Sequence, residues 1–254
     1  MARLALITRG DDAGSSMTAN RAIREACKEG ILRNVSVMVP CDALDDAADR
    51  LKDLDHVCFG LHATMNAEWS RVRWGAVSDH LPSLVLADGT FFQSVNALRD
   101  NQPRLDEAMD ELQAQLDKGR AAGFAFAYAD QHMGFGRAID GFDEAFDQWC
   151  SKEGLLNYRP YHQRLPSVAT EAGDPVEQVI AQLEAVGSGQ WAIVGHPAYD
   201  TEEMHETGNE NMSGEDIAKD RAWQRRWFTD GRILDYCKMN DVVPIRYDEA
   251  EKLY

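Results

Sequence analysis

The chain has 254 residues, 44% of them hydrophobic, which is enough for a large core and fits a single α/β barrel better than two small domains. A formal charge of −17, from 26 basic against 43 acidic residues with no local Lys/Arg cluster, argues against nucleic acid or an anionic membrane surface as a partner. No apolar span approaches the roughly 18 residues of a membrane helix, and Met1-Ala2-Arg3 lead straight into an apolar run without the h-region of a secretory leader, so a soluble, cytoplasmic protein is expected.

Five cysteines, an odd number without a CxxC pair, read as buried free thiols. Neither a disulfide framework nor a Cys-based zinc site is expected.

The first element is the apolar run from Leu4 to Ile7, which passes through Thr8-Arg9-Gly10 into Asp11-Asp12-Ala13-Gly14. It reads as a strand of a covered parallel sheet with two carboxylates at its C-terminal mouth, where α/β folds keep their chemistry. Side chains alternate along an extended segment, so one acid can bind a cation while its neighbour stays free for proton transfer. The ordinary alternative is a solvated loop with an Asx-turn at Asp12-Ala13-Gly14.

A helix capped by Thr18 or Ser16 follows, with Ala19, Ile23, Ala26 and Cys27 on one face and Gly30 closing it. Val35–Val39 predicts a second strand, Asp42–Leu54 a second helix, and Val57–His62 a third strand ending on a histidine. Residues 63–102 carry Trp69, Arg71, Arg73 and Trp74 without a sustained helical period, and read as a long functional loop. Pro103 opens a helix striped by Leu105, Met109, Leu112 and Leu116.

The strand Phe124–Tyr128 then runs into Asp130-Gln131-His132-Met133-Gly134. Beyond it come a helix over about Asp140–Lys152, a short segment near Leu155–Tyr161 and a helix over Pro175–Val186. Trp191–Gly195 forms a strand ending at His196-Pro197, residues 197–213 a polar loop, Gly214 to about Asn240 one long helical region, and Val242–Ile245 a last strand. Strands alternating with helices over 1–254 point to one domain of parallel β/α architecture, with the long insertion at about 63–102.

Four strand ends therefore carry polar groups: Asp11/Asp12, His62, Asp130/His132 and His196. Side chains from separate parallel strands converge at one rim, and one carboxylate with two neutral imidazoles is a sufficient ligand set for a divalent ion, magnesium or zinc, with positions left for water and substrate. Asp130 can orient a ligand histidine, with helix capping an equally ordinary role. Trp69 and Trp74 can stack on pyranose faces or simply pack the loop down, and Arg71 or Arg73 can bond hydroxyls or a carboxylate.

Asp11-Asp12-Ala13-Gly14, Gly60-Leu61-His62, Asp130-Gln131-His132 and Gly195-His196-Pro197, in that order over nearly the whole chain, resemble the YdjC-type carbohydrate deacetylases, the chitooligosaccharide deacetylase-like family. The Asn20-Arg21-Ala22-Ile23 helix start and Ser36-Val37-Met38 fit as well. The resemblance implies a distorted (β/α) TIM-like barrel, one divalent metal held by Asp12, His62 and His132, Asp11 as general base, and hydrolysis of an N-acetyl group on an amino sugar or short oligosaccharide. In that scheme water activated by the ion is the nucleophile, and His196 is the acid or oxyanion partner.

Two departures stand out. Ala13 replaces the family's aromatic and Arg9-Gly10 a small polar or Asn-Ala pair, which predicts a wider, more cationic mouth; Met133-Gly134 after His132 remove the extra ligand candidates of a histidine-rich segment. Two other classes stay open: a sugar-binding or regulatory protein whose altered Asp-Asp surroundings have disabled catalysis, and a non-haem iron oxygenase, which shares the two-His, one-carboxylate set. An N-acetylated sugar is the expected partner, with a homodimer left open.

Overall fold

The computed structural model describes residues 4–167 and 173–254; Met1-Ala2-Arg3, from which the start of the chain was read, lie outside the described residues. Seven strands, β1 (Leu4–Ala13), β2 (Asn34–Val37), β3 (Cys58–Ala63), β4 (Phe126–Gln131), β5 (Leu156–Asn157), β6 (Gly189–Gly195) and β7 (Val242–Ile245), pair in parallel throughout. The order is β5-β4-β3-β2-β1-β6, with β7 also against β1. Helices α1 (Met17–Lys28), α2 (Leu44–Leu51), α3 (Val95–Asp100), α4 (Leu105–Ala121), α5 (Phe142–Glu153), α6 (Pro175–Glu184), α7 (Glu202–His205), α8 (Gly214–Thr229) and α9 (Gly231–Met239) lie in the connections.

A parallel sheet covered by helices needs strands that are apolar on both faces. Leu6, Ile7, Val35, Val37 and Leu61 meet that requirement and are fully buried. Beyond β5 the chain turns back to bond β6, with Ala192 N–H donating to the Gln163 carbonyl at 2.6 Å and Leu165 N–H to the Ala192 carbonyl at 3.0 Å. The sheet thus curls almost onto itself, giving the distorted β/α barrel that the resemblance implies, built on the parallel β/α alternation of the sequence. All five cysteines are free and buried.

Strand β1 has an unusual edge. One side pairs with β6 along Leu4–Gly10, while the other is shared, Leu4–Ile7 with β7 and Arg9–Ala13 with β2. The register against β2 shifts between Gly10 and Ala13, and Asp12 within that bulge has φ of 68°. The two carboxylates therefore diverge because Asp12 is itself a left-handed residue in a bulge, not by plain strand alternation, and bulges re-aim side chains beside functional sites.

Ser16 caps α1, its Oγ accepting from Ala19 N–H at 3.1 Å. Glu29 is the C-cap of the helix and Gly30 follows it in the C′ position. Gly30 also serves a close approach, since a Cβ there would lie 2.0 Å from the Phe228 carbonyl oxygen.

The helical region after Gly214 is broken: Asp230 is extended (φ −68°, ψ 132°), ends α8 and caps α9 by accepting from Arg232 N–H at 3.1 Å. The long loop also holds a helix, α3, capped by Ser94. Two buried carboxylates of α4 fasten this loop, Glu111 accepting from Val77 and Ser78 N–H and Glu107 from Ser83 N–H, each at 2.9 Å. Among the described residues, no helix is long and apolar enough to cross a membrane.

Candidate metal centre

The C-terminal ends of β1, β3 and β4 bring Asp12, His62 and His132 together at the rim. Asp12 Oδ1 lies 3.5 Å from both His62 Nε2 and His132 Nδ1, and the two nitrogens are 3.3 Å apart. Three ligands about 2.0–2.1 Å from a tetrahedral ion are separated by roughly 3.4 Å, so the triangle has the right size. Asp12 Oδ1 is moreover buried with no hydrogen-bond partner, an expensive condition for a carboxylate oxygen unless a cation meets it. The donor set fits a divalent ion.

The far side of each imidazole is held by a carboxylate. His62 Nδ1 bonds Asp130 Oδ1 at 2.9 Å, and His132 Nε2 bonds Glu68 Oε2 at 2.8 Å. Such pairs fix ring orientation and raise ligand basicity. Asp130 also accepts from Ser36 Oγ at 3.1 Å and forms an ion pair with Arg9 Nη1 at 2.7 Å.

Arg9 is buried beneath the rim, with its other guanidinium edge against Asp11: Nε to Oδ1 2.8 Å and Nη2 to Oδ2 2.9 Å. Its charge is directed onto two carboxylates, while Arg9 also borders the open cleft together with Arg164 and Arg221. Tyr158 stacks over the guanidinium at 5.2 Å, and Nη1 also reaches Tyr247 Oη at 3.4 Å. That hydroxyl also shares a hydrogen bond of 2.9 Å with His162 Nδ1.

Burial pushes the Asp11 carboxyl upward, but Arg9 and then His62 override it and hold it below the usual range. Asp12 is likewise pushed up by burial and held well below that range by His196, His132 and His62. Burial lowers His132, and Glu68 with Asp12 outweigh it, lifting the imidazole to about 9. His62 is raised well above its ordinary value against burial, chiefly by Asp130 and Asp11. Without an ion the cluster therefore holds protons that metal binding must displace.

His196 follows β6 across the rim. Gln224 Oε1 accepts from its backbone N–H at 2.6 Å and faces its Nδ1 at 2.9 Å, which requires Nδ1 to carry the proton. Gln224 is oriented by Asp220, to which its Nε2 donates at 2.7 Å. Burial and then Arg221 push the His196 imidazole down, toward its neutral form.

Asp11, Asp12 and His196 lie between two cavities, an open cleft of about 790 Å³ that His62 and His132 also line and a smaller chamber of about 80 Å³. Trp69 lines both. Trp74 lines only the chamber, buried, with its indole N–H donating to the Asn66 carbonyl at 2.7 Å, so it presents no stacking face to the open cleft. Arg73 borders neither cavity. Its guanidinium ties the loop together through the carbonyls of Ala67, Trp69 and Phe91 and the Thr90 hydroxyl, which corrects its expected place on a sugar. Arg71 pairs with Glu206 on the surface.

Sequence reasoning missed Glu68, Arg9 in its inward role, His162 and Gln224. Arg9 had a signal, a charged residue in an apolar strand two positions before Asp11 and so on the same face. Glu68 had none beyond being an acid in the loop after His62.

The curled parallel β/α sheet and its rim of two imidazoles and a carboxylate define an α/β protein with a metal-competent centre. The chain belongs to the YdjC-like protein family, whose sequence profile matches residues 5–239. It is 25% identical over 258 residues to a carbohydrate deacetylase of Geobacillus stearothermophilus, covering 97% of this chain and 98% of the relative. A carbohydrate deacetylase of Thermoanaerobacter pseudethanolicus is 22% identical over 259 residues, covering 95% and 97%. In fold it is similar to an Enterococcus faecalis crystal structure described as a candidate cellobiose-phosphate cleavage protein, with a TM-score of 0.80, 16% identity, and 98% and 99% coverage.

Proposed function

We propose that the protein is a metal-dependent hydrolase that removes an N-acetyl group from an amino sugar or a short oligosaccharide. The observation that carries this reading is the triangle of Asp12, His62 and His132, with the partnerless Asp12 Oδ1 at its corner and the ionised Asp11 alongside, at the wall of an open cleft. Membership of the YdjC-like family and full-length likeness to proteins named carbohydrate deacetylase support the choice of substrate.

What a divalent ion supplies when bound there is polarisation of the amide carbonyl and of water. The remaining work falls to the chain. Asp11 is kept ionised by Arg9 and accepts the proton of the attacking water; each of its oxygens retains a lone pair beyond the Arg9 contact. Asp130 and Glu68 hold the two ligand imidazoles in position. His196, with Nδ1–H fixed on Gln224, leaves the Nε2 lone pair free; it takes up a proton released from the water and then passes it to the departing sugar nitrogen. Trp69 is the aromatic wall available to a pyranose in the cleft.

A second reading has one observation in its favour: Arg9 engages both oxygens of Asp11, as a sugar-binding protein without turnover would tolerate. Acetate release decides between them. Zinc- or magnesium-loaded protein is to be offered N-acetylglucosamine and its short oligomers; release that is lost on chelation is expected, and no release from any of them overturns the hydrolase.

A further inference from the structure

The two cavities share Asp11, Asp12, Glu68, Trp69, His196 and Arg221, and they differ in size. The carbonyl carbon of an amide held at Asp12 has two substituents, the nitrogen with its sugar and the acyl chain. A sugar needs the larger cleft, which leaves the smaller chamber behind Asp11, Asp12 and His196 for the acyl chain.

That chamber is larger than a methyl group requires. It gives water-molecule centres about 80 Å³ of room, whereas roughly 10–15 Å³ is enough for one water. Its walls include Ala19, Met38, Val72, Trp74, Ala198 and Met204. Ala19, Ala198 and Met204 also belong, with Ile217 and Ala218, to a small apolar cluster separate from the main core.

Asp11, Asp12, Glu68, His196 and Arg221 lie on the side of this chamber that it shares with the cleft. Beside the apolar walls, Ser16 Oγ caps α1, the Glu203 carboxylate accepts from Met17 and Thr18 N–H at 2.9 Å each, and Thr207 Oγ1 donates to the Met204 carbonyl at 2.6 Å. A saturated chain laid along the apolar walls leaves these hydrogen bonds intact.

We infer that the chamber is an acyl pocket for straight chains longer than acetyl, so that N-propanoyl and N-butanoyl amino sugars are also substrates. The inference rests on the hydrolase reading above. Water adds across the amide: the C–N bond breaks, a C–O bond forms, and the products are the fatty carboxylate and the sugar ammonium, the water's protons passing to the nitrogen. No other reactant is needed.

Zinc-loaded protein is to be assayed on N-acetyl-, N-propanoyl- and N-butanoylglucosamine oligomers. In parallel, the methyl resonances of 13C-methionine-labelled protein are followed during titration with butanamide or acetamide. Met38 and Met204 report on the chamber, Met133 and Met212 on the cleft. A pocket closed to one more methylene discriminates by about 10–200-fold, so the expected result is butanoyl turnover within about tenfold of acetyl, with butanamide shifting Met38 and Met204 more than Met133 and Met212. Ala198→Leu should then depress kcat/KM for butanoyl far more than for acetyl.

Acetyl turnover with a butanoyl loss beyond about a hundredfold overturns the acyl pocket and leaves the deacetylase intact. Butanoyl turnover without shifts at Met38 and Met204 also overturns it, since the chain then lies in the cleft. No release from any acyl sugar overturns both readings together.

Discussion

Arg9 and Asp11, two residues apart on one strand, face each other through two contacts of 2.8 and 2.9 Å, with side chains only 8% and 5% exposed. The same guanidinium reaches Asp130, so a single buried cation offsets two buried carboxylates. Removing one partner of such a buried set costs about 3–5 kcal/mol. Arg9→Met is expected to lose stability of that order in urea unfolding; a change below about 1 kcal/mol, as for an exposed pair, would show that the charges are not sequestered.

The two aspartates should separate by assay. Asp12→Asn is expected to weaken zinc binding in a calorimetric titration. Asp11→Asn should keep the ion and lose roughly the 10²–10⁴-fold in turnover that a positioned base contributes. Full activity in Asp11→Asn would remove the proposed base.

Glu68 holds His132 from behind at 2.8 Å. Glu68→Gln should weaken zinc affinity by about 10–100-fold, the usual effect of losing an outer carboxylate partner. Unchanged affinity would make Glu68 a bystander.

His162 supplies a pH test away from the metal ligands. Burial, then Arg9 and Arg164, push its imidazole down to about 3 from the ordinary 6.5. The folded protein thus keeps it neutral where the unfolded chain takes a proton, so its contribution is fully present above pH 6.5 and is lost as the pH falls toward 3. Thermal unfolding of His162→Phe across that window should fall less steeply than that of wild type, and parallel curves would contradict the assignment.

Much of this was legible in the residue order. An apolar run that ends on Asp, His or Asp-x-His identifies both a parallel strand and what stands at its mouth, which is why β1, β3, β4 and β6 and their rim residues could be read without coordinates. Side chains recruited from loops and helices leave no such trace: Glu68 and Gln224 look like ordinary polar residues until the backbone brings them beneath His132 and His196. Trp74 and Arg73 illustrate the converse. Composition marked them as sugar contacts, whereas the loop needed an indole to bury and a five-donor side chain to satisfy its own carbonyls.

The shared edge of β1 also governs the order in which the molecule can be completed. Arg9–Ala13 can pair with β2 once Asn34–Val37 have been synthesised, but Leu4–Ile7 have no partner until Gly189–Gly195 arrive, and lack their second until Val242–Ile245 follow, more than two hundred residues after them. Tyr247, which reaches Arg9 and His162, emerges later still. Until Val242–Ile245 have been synthesised the first strand therefore offers an open apolar edge, a condition that invites mispairing and gives chaperones their opportunity.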